Sequence, residues 1–195
     1  MRLSPIARHL GSSLLLVSSL AAQERVRAVT PAHHPSSGNR FLSPGVDAGD
    51  YLYVSGQGAR RSDGTVPSGS VAQFRQALDN IKGVLESAGL TLDNVVYVQA
   101  YLTEIDTYPA MNRVFGEYFP NTPPARAILG VYALPDPPIQ INAVAVRNLD
   151  GRKAIHPPGV PADGSASPGI LTYDRLFISS MPGSSIPERT GAPGL

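Results

Sequence analysis

Apolar and polar residues follow two different periods along the chain, and these periods predict its strands and helices. Residues 51–55 alternate, are rich in aromatic and branched side chains and end at Gly56, which is typical of a strand. After this strand, apolar residues recur every three or four positions, which predicts one apolar face of a helix. That face consists of Val71, Phe74, Ala77, Leu78, Ile81, Val84, Leu85 and Ala88. Ser70 is expected to cap the start of this helix, and Gly89 to end it in the left-handed conformation.

The same change of period occurs a second time. Residues 95–103 predict a strand, with Val96, Val98, Ala100 and Leu102 on one face and Tyr97, Gln99 and Tyr101 on the other. A second helix is predicted from about Pro109 to Phe119, because proline suits a first turn and Asp106 or Thr107 can cap it.

Two further strands complete the central region. They are predicted at residues 127–132 and 139–146, and the turn-forming residues 134–138 separate them. The order is therefore strand, helix, strand, helix, strand, strand. We expect an α+β domain at residues 41–150, with a mixed sheet that carries both helices on one face, so that both apolar stripes enter a single core.

The N-terminus has the pattern of an export signal. Arg2 and Arg8 precede an apolar run at residues 10–20, and small residues follow it. The run is too short to span a membrane. We therefore predict a signal peptide at residues 1–22, a periplasmic or secreted protein, and a flexible segment at residues 23–40. N-terminal sequencing of exported protein should find a mature terminus at Ala22 or Gln23, whereas an intact Met1 would contradict the prediction.

Composition excludes several classes of function. Without the leader, 14 basic and 15 acidic residues remain, a charge of about −1, and this disfavours nucleic-acid binding. Cysteine is absent, so disulfides, thiolate catalysis and cysteine-based metal sites are excluded. His33, His34 and His156 lie in loop-like stretches without a fixed acidic partner, so no metal site is predicted. Ser55 has no nearby His and Asp pattern for a catalytic triad.

Several motifs in the central region resemble the YjgF/RidA family. They are Tyr53-Val54-Ser55-Gly56-Gln57, Gln76-Ala77-Leu78-Asp79-Asn80-Ile81, Pro124-Ala125-Arg126-Ala127 and Ile139-Gln140-Ile141-Asn142-Ala143-Val144-Ala145-Val146. They occur in the family's order over roughly residues 41–147. The resemblance implies a chorismate-mutase-like fold and a homotrimer whose sheets form an inner barrel, with clefts between subunits. Members of this family hydrolyse reactive enamines and imines, such as 2-aminoacrylate, to keto acids and ammonia without a cofactor.

The resemblance also assigns roles to individual residues. Arg126 takes the position that holds the substrate carboxylate, and a guanidinium suits this role because it offers two parallel N–H donors. Ser55 and Asn112 fall on positions that line the family's cleft, although Ser55 can simply finish its strand and Asn112 can simply face solvent. Leu42 stands where the family commonly has a tyrosine. Gly130 and Tyr132, on the strand after Arg126, can shape the pocket or only pack.

One substitution bears directly on catalysis. The family's deaminases carry a glutamate in the last strand, thought to hold or activate water, and this position is Gln140 here. An amide can orient water but cannot accept its proton near neutral pH. The neighbouring acid of the family is replaced by Asn142. Carboxylate binding by Arg126 should survive these changes, whereas assistance by a general base should not.

The C-terminal stretch contains an internal repeat. Residues 167–170 match residues 43–46, and residues 174–179 match residues 50–55. The offset is 124 residues throughout, so that Ser167, for example, corresponds to Ser43. Residues 151–195 are therefore interpreted as a Pro/Gly-rich linker and a truncated second copy of the domain. This stretch lacks both helices and any counterpart of Arg126, so it is not expected to bury a core of its own.

Three functions remain open from the sequence. The first is an imine or enamine deaminase that uses Arg126, with water held by Gln140 and backbone groups. The second is a noncatalytic trimer that binds small carboxylates or protects other proteins, and it is favoured by Gln140 and by the export signal. The third is a ribonuclease, which the charge of about −1 and the lack of a basic stripe disfavour. None of the three calls for a cofactor.

Overall fold

The computed structural model describes residues 26–32, 42–135, 138–160 and 164–180. The predicted signal peptide, His33 and His34 lie outside these ranges, as does most of the segment 23–40. In the described ranges, the strands are β1 Arg27–Val29, β2 Gly45–Asp47, β3 Tyr51–Gln57, β4 Val95–Leu102, β5 Ala125–Gly130, β6 Ile139–Val146, β7 Lys153–Ile155, β8 Gly169–Leu171 and β9 Leu176–Ile178. The α-helices there are α1 Ser70–Ser87 and α2 Tyr108–Tyr118, and short 3₁₀ turns cover Leu92–Asn94 and Ile105–Thr107.

The strands form two sheets. The larger sheet has six strands in the order β1-β2-β3-β6-β4-β5, and the smaller has three in the order β7-β8-β9. Strands β4 and β5 run parallel, while the other neighbours are antiparallel. This confirms the α+β class, the mixed sheet and the two helices of the central domain. The strand β1 lies inside the segment 23–40 that the sequence suggests is flexible.

The main core lies between the larger sheet and the two helices. Helix α1 buries Phe74, Ala77, Leu78, Ile81, Val84 and Leu85, and α2 buries Met111, Val114 and Phe115. They pack with strand residues that include Leu52, Val98, Ile141 and Ala143. Burying each large apolar side chain contributes about 1.5–3 kcal/mol, so the two predicted apolar stripes drive the fold. Their placement in one core confirms the periodicity-based prediction.

Four local predictions differ from the structure. Strand β5 covers Ala125–Gly130, so it begins and ends two residues before the predicted range 127–132. Ser70 is the first residue of α1 rather than its cap, since Gly69 holds the cap position with φ of 83° and no side chain caps the helix. The Thr107 hydroxyl donates to the Glu104 carbonyl oxygen, so it does not cap α2 either. Val96 belongs to the opposite face of the sheet, because the ladder shifts register between Val95 and Tyr97. Gly89 does end α1 with φ of 73°, as predicted.

The smaller sheet covers the face of the larger sheet that lies away from the helices. Ile170 of β8 is completely buried in a cluster with Tyr51, Val96, Ala125 and Val146. We call β1–β3 the first unit and β7–β9 the second unit. The C-terminal strands therefore pack on the central domain and have no separate core within the described residues, as the sequence suggested.

Tyrosine hydroxyl groups tie the two units together. The Tyr51 hydroxyl bonds to Thr172 at 2.7 Å and donates to Asp174. Burial raises the pKa of Tyr51, and the hydrogen bond to Asp174 raises it further. The Tyr173 hydroxyl donates to Asp50 at 2.8 Å, and this bond raises the pKa of Tyr173 to about 12. Both hydroxyls are therefore protonated at neutral pH and can act as donors across the contact.

Acid is expected to weaken the attachment of the first unit, through Asp47. Its carboxylate accepts hydrogen bonds from Arg147 at 2.6 Å and from Arg27 at 3.0 Å. Burial by itself raises the pKa of Asp47, but the bonds from Arg147 and Arg27 outweigh it and hold this pKa below the ordinary 3.8. The stabilisation is thus present above the unfolded-state pKa and is lost as the pH falls through the lower folded-state value.

This expectation can be measured by urea unfolding at pH 7 and pH 3. The free energy of unfolding should be lower at pH 3 in the wild type, and the drop should be smaller in Asp47→Asn. Asp93→Asn serves as a matched control, because this carboxylate has no such pair of arginine donors. The same drop in Asp47→Asn as in the wild type would contradict the role of Asp47.

Within the described residues, no helix is long and apolar enough to cross a bilayer.

Candidate functional site

Arg126 lies on the edge strand β5 and points to the helix side of the sheet. Its Nη2 donates to Asn112 Oδ1 of α2 at 2.8 Å, and its Cζ lies 4.7 Å from the centre of the Phe115 ring. The structure therefore brings together two of the predicted site residues. A guanidinium held against an aromatic face and an amide oxygen is oriented, so its planar donors are preset for a carboxylate.

Residues after the central domain cover Arg126, which is only 3% exposed. Nη2 also donates to Ser165 Oγ at 2.8 Å. On the backbone, the Arg126 N–H donates to Ser179 Oγ at 2.7 Å, and the Ser180 N–H donates to the Arg126 carbonyl at 3.0 Å. A ligand that reaches the guanidinium has to share or replace these contacts.

Gln140 lies beside a different strand, β3. A Cβ atom built on Gly56 would stand 1.8 Å from Gln140 Nε2 and 2.6 Å from its Cδ. The side chain of Gln140 thus lies directly on the backbone of Gly56, and only glycine leaves room for it. Two residues further along β6, Asn142 has its Oδ1 buried without a hydrogen-bond donor among the described residues.

Ser55 lies next to Gly56 and is exposed. Its hydroxyl donates to the Ser43 carbonyl at 2.7 Å, so in this structure it ties the end of β3 to the segment that precedes β2. Leu42 precedes Ser43 and is 69% exposed. Ser55, Leu42 and Gln140 therefore belong to one end of the first unit and its neighbour β6.

The predicted residues thus form two groups on opposite faces of the sheet. Arg126 pairs with Val98 of β4, whereas Gln140 pairs with Tyr101 of the same strand. Val98 and Tyr101 are three residues apart, so their side chains, and those of their partners, point to opposite faces. We call Arg126 with Asn112 the arginine group, and Ser55 with Gly56 and Gln140 the glutamine group. One chain does not bring Arg126 and Gln140 to a common point.

Sequence reasoning missed several residues around Arg126. Phe115 was hidden within the apolar stripe of α2, where it looks like any core residue. Ser165 and Ser180 have no sequence signal for this role. Ser179 did have a signal, because it is the repeat counterpart of Ser55 at the offset of 124 residues. Tyr132, by contrast, is fully exposed, and Gly130 packs near Ile105, so neither contributes to the arginine group.

Outside these two groups, the described chain offers weaker candidates for a ligand or metal site. A shallow groove along α1 is lined by Arg61, Asp79 and Asn80 among others, and contains no predicted site residue. Among the residues that the structure describes, no cluster of three or more histidine, cysteine or acidic side chains could hold a metal ion. The two groups defined above are therefore the candidate site.

Comparison with known proteins identifies the family of the central domain. A family model described as endoribonuclease L-PSP matches residues 32–147. A curated relative from Escherichia coli K12, named 2-iminobutanoate/2-iminopropanoate deaminase, is 36% identical over 108 residues, which are 53% of this chain and 84% of the relative. The match covers the central domain and both groups of the candidate site.

Solved structures give the same result. The structure of the YjgF gene product of Escherichia coli has a TM-score of 0.59 and 32% identity, over 63% of this chain and 99% of that one. The structure of Escherichia coli TdcF with bound serine has a TM-score of 0.60 and 27% identity, also over 63% and 99%.

Proposed function

Since the chain belongs to the YjgF/RidA family, whose model is described as endoribonuclease L-PSP, we propose that it hydrolyses reactive enamines and imines such as 2-aminoacrylate. The products are the corresponding keto acid and ammonia. The observation that carries the proposal is the oriented guanidinium of Arg126 between Asn112 and Phe115.

Arg126 binds the carboxylate that all imino acids of this class share. Two parallel N–H donors fix the acid end and leave the C=N carbon open to attack. Asn112 holds the guanidinium in place by accepting from Nη2. The relative named 2-iminobutanoate/2-iminopropanoate deaminase supports this substrate class, and so does the serine bound to TdcF, because both ligands carry a carboxylate.

The reaction needs only water. The enamine takes a proton on carbon to become the imine, water adds to the C=N carbon, and the C–N bond breaks to release ammonia. A side chain that accepts a proton from the water would speed the addition, and Gln140 can only orient it. No cofactor or further reactant enters this balance.

A second candidate function is noncatalytic binding of small carboxylates. The amide at Gln140 favours it, because binding needs the guanidinium but not a base. Turnover separates the two functions.

The test compares the wild type with Arg126→Ala, using freshly generated 2-aminoacrylate for turnover and calorimetry for a stable keto acid. Charge-assisted hydrogen bonds contribute about 1.5–3 kcal/mol, so keto acid binding should weaken roughly 10- to 150-fold and turnover should fall with it. Arg113→Ala is the matched control, because Arg113 is an exposed arginine next to Asn112 on α2. Equal turnover in all three proteins would overturn the proposal, whereas binding without turnover in the wild type would favour the noncatalytic function.

Three further proposals come from the sequence. We propose that the chain is exported, that residues 151–195 contain a partial second copy of the domain, and that the domain can assemble as a homotrimer. The second is supported by cross-strand pairs of the second unit, such as Ile170 with Phe177, which repeat those of the first unit at the offset of 124 residues. The homotrimer is supported by the family resemblance. Because the second unit covers one face of the larger sheet in this structure, light scattering tests the trimer on Ile170→Asp, a variant that should displace this unit.

A further inference from the structure

The first and second units have the same backbone arrangement. In the first, Gly45 pairs with Val54, Val46 with Tyr53 and Asp47 with Leu52; in the second, Gly169 pairs with Ile178, Ile170 with Phe177 and Leu171 with Leu176. Each residue follows its counterpart by 124 positions. The open ends of the two hairpins, β2–β3 and β8–β9, also agree. Ser55 Oγ donates to the Ser43 carbonyl at 2.7 Å, and Ser179 Oγ donates to the Ser167 carbonyl at 2.6 Å.

The second unit docks through one face. Ile170 is completely buried, and the Phe177 ring lies 6.1 Å from the Tyr51 ring and 6.2 Å from the Tyr97 ring. Beyond these apolar contacts, Ser179 and Ser180 bond to the backbone of Arg126. We call the surface beneath them the docking surface; it consists of Tyr51, Val96, Tyr97, Ala125 and Val146, together with the backbone of Arg126.

The first unit leaves the equivalent face open. Val46 and Tyr53 are the counterparts of Ile170 and Phe177, and they point away from the helices. Val46 is only half-buried, Tyr53 is 40% exposed, and Ser55 is exposed. Arg175 of the second unit donates to the Tyr53 hydroxyl at 2.8 Å on this face, while Val46 and Ser55 remain accessible. A chain thus carries one docking surface that its own second unit fills, and one unit of matching backbone whose docking face is largely open.

A first unit placed like the second unit brings the two groups of the candidate site together. Ser55 of that copy then lies where Ser179 lies now, against Arg126. Gln140 of the same copy packs on Gly56, next to Ser55, so it is also brought close to Arg126. The second unit brings the serine, but within the described residues it has no counterpart of Gln140.

We propose that the second unit is an intramolecular cap on the surface that binds the first unit of a second copy of this chain. Capped, Arg126 has Ser179 beside it and lacks Gln140. Uncapped, it receives Ser55 and Gln140 from the second copy. The contact joins different surfaces of the two copies, so it is heterologous and can continue into a closed ring. The docking rests on the contacts above, and only the chemical consequence rests on the proposed function.

The test measures molar mass by size-exclusion chromatography with light scattering over a range of protein concentrations. Ile170→Asp places a charge in the buried cluster and should release the cap, so this variant should self-associate as concentration rises. The wild type should have the mass of one chain. So should the matched control Leu176→Asp, because Leu176 is 51% exposed and points away from the docking surface.

A double variant distinguishes docking from unspecific aggregation. Adding Val46→Asp to Ile170→Asp puts a charge on the docking face of the first unit, at the counterpart of Ile170, and should restore the mass of one chain. The milder Phe177→Ala, which keeps the cluster around Ile170, should associate at higher concentration than Ile170→Asp. Association of the wild type under the same conditions, no association of Ile170→Asp and Phe177→Ala, or association that survives Val46→Asp would each overturn the cap. These masses do not depend on turnover, so an inactive protein leaves this result intact.

Discussion

Gln140→Glu should raise the hydrolysis of 2-aminoacrylate by about 100- to 10,000-fold when Gln140 can reach the substrate held by Arg126. Glutamate has nearly the shape of glutamine and fits the same place over Gly56, but its carboxylate can accept the proton of the attacking water. Because one chain holds Gln140 and Arg126 on opposite faces of the sheet, the rise is expected in the uncapped Ile170→Asp variant.

The measurement compares turnover in four proteins: the wild type, Gln140→Glu, Ile170→Asp and the double variant. Keto acid binding should not change with Gln140→Glu, because Arg126 supplies that interaction. Gln73→Glu is the matched control, since it adds the same charge on α1, on the other side of the sheet. A rise of equal size without Ile170→Asp would contradict the need for uncapping and leave the base chemistry intact. No rise in either background would favour noncatalytic binding.

Phe115→Ala should lower the free energy of unfolding by about 3–5 kcal/mol and also weaken carboxylate binding. Phe115 is fully buried, so its removal leaves a cavity in the core. Its ring also lies under the Arg126 guanidinium, and a contact of this kind contributes about 0.5–2 kcal/mol. Because the freed guanidinium has to be ordered again when a carboxylate binds, affinity should fall by at most roughly 30-fold. Urea unfolding and calorimetric binding of a keto acid measure the two effects separately.

Phe74→Ala separates packing from binding. Phe74 is as deeply buried as Phe115 but lies on α1, so its removal should cost similar stability and leave keto acid affinity unchanged. If both variants lose affinity equally, the effect on Arg126 comes from general loosening of the core.

The sequence predicted the central domain well because its signals are local and repeated. Eight apolar positions on and just after α1 define a face, and all of them except Val71 are buried in the main core. Cap positions were less predictable, since Ser70 and Gly69 are adjacent and either can precede the first turn. The placement of Val96 depended on a register shift in the β4–β6 ladder, which has no counterpart in the pattern of side chains.

The candidate site was predictable residue by residue but not in its arrangement. The family motifs indicated Arg126, Asn112, Ser55 and Gln140, yet which face each side chain uses depends on pairing between distant strands. For the same reason, the sequence could not predict that residues such as Ser165 and Ser179 cover Arg126. The repeat showed that a second set of strands exists, whereas their position depends on the apolar cluster around Ile170.

The short connection from β6 to the second unit determines how well a second copy can compete with this unit for the docking surface. Only residues 147–152 separate β6 from β7, so the second unit is always close to its docking surface. A tether of this kind gives an effective concentration in the millimolar range. A free copy at a micromolar concentration is therefore at a roughly thousand-fold disadvantage, about 4 kcal/mol, if its contacts are merely equal. Replacement of the second unit by the first unit of another copy then depends on the additional contacts made by the longer strand β3 and by Gln140. The protein concentration at which association begins measures how strong those contacts are.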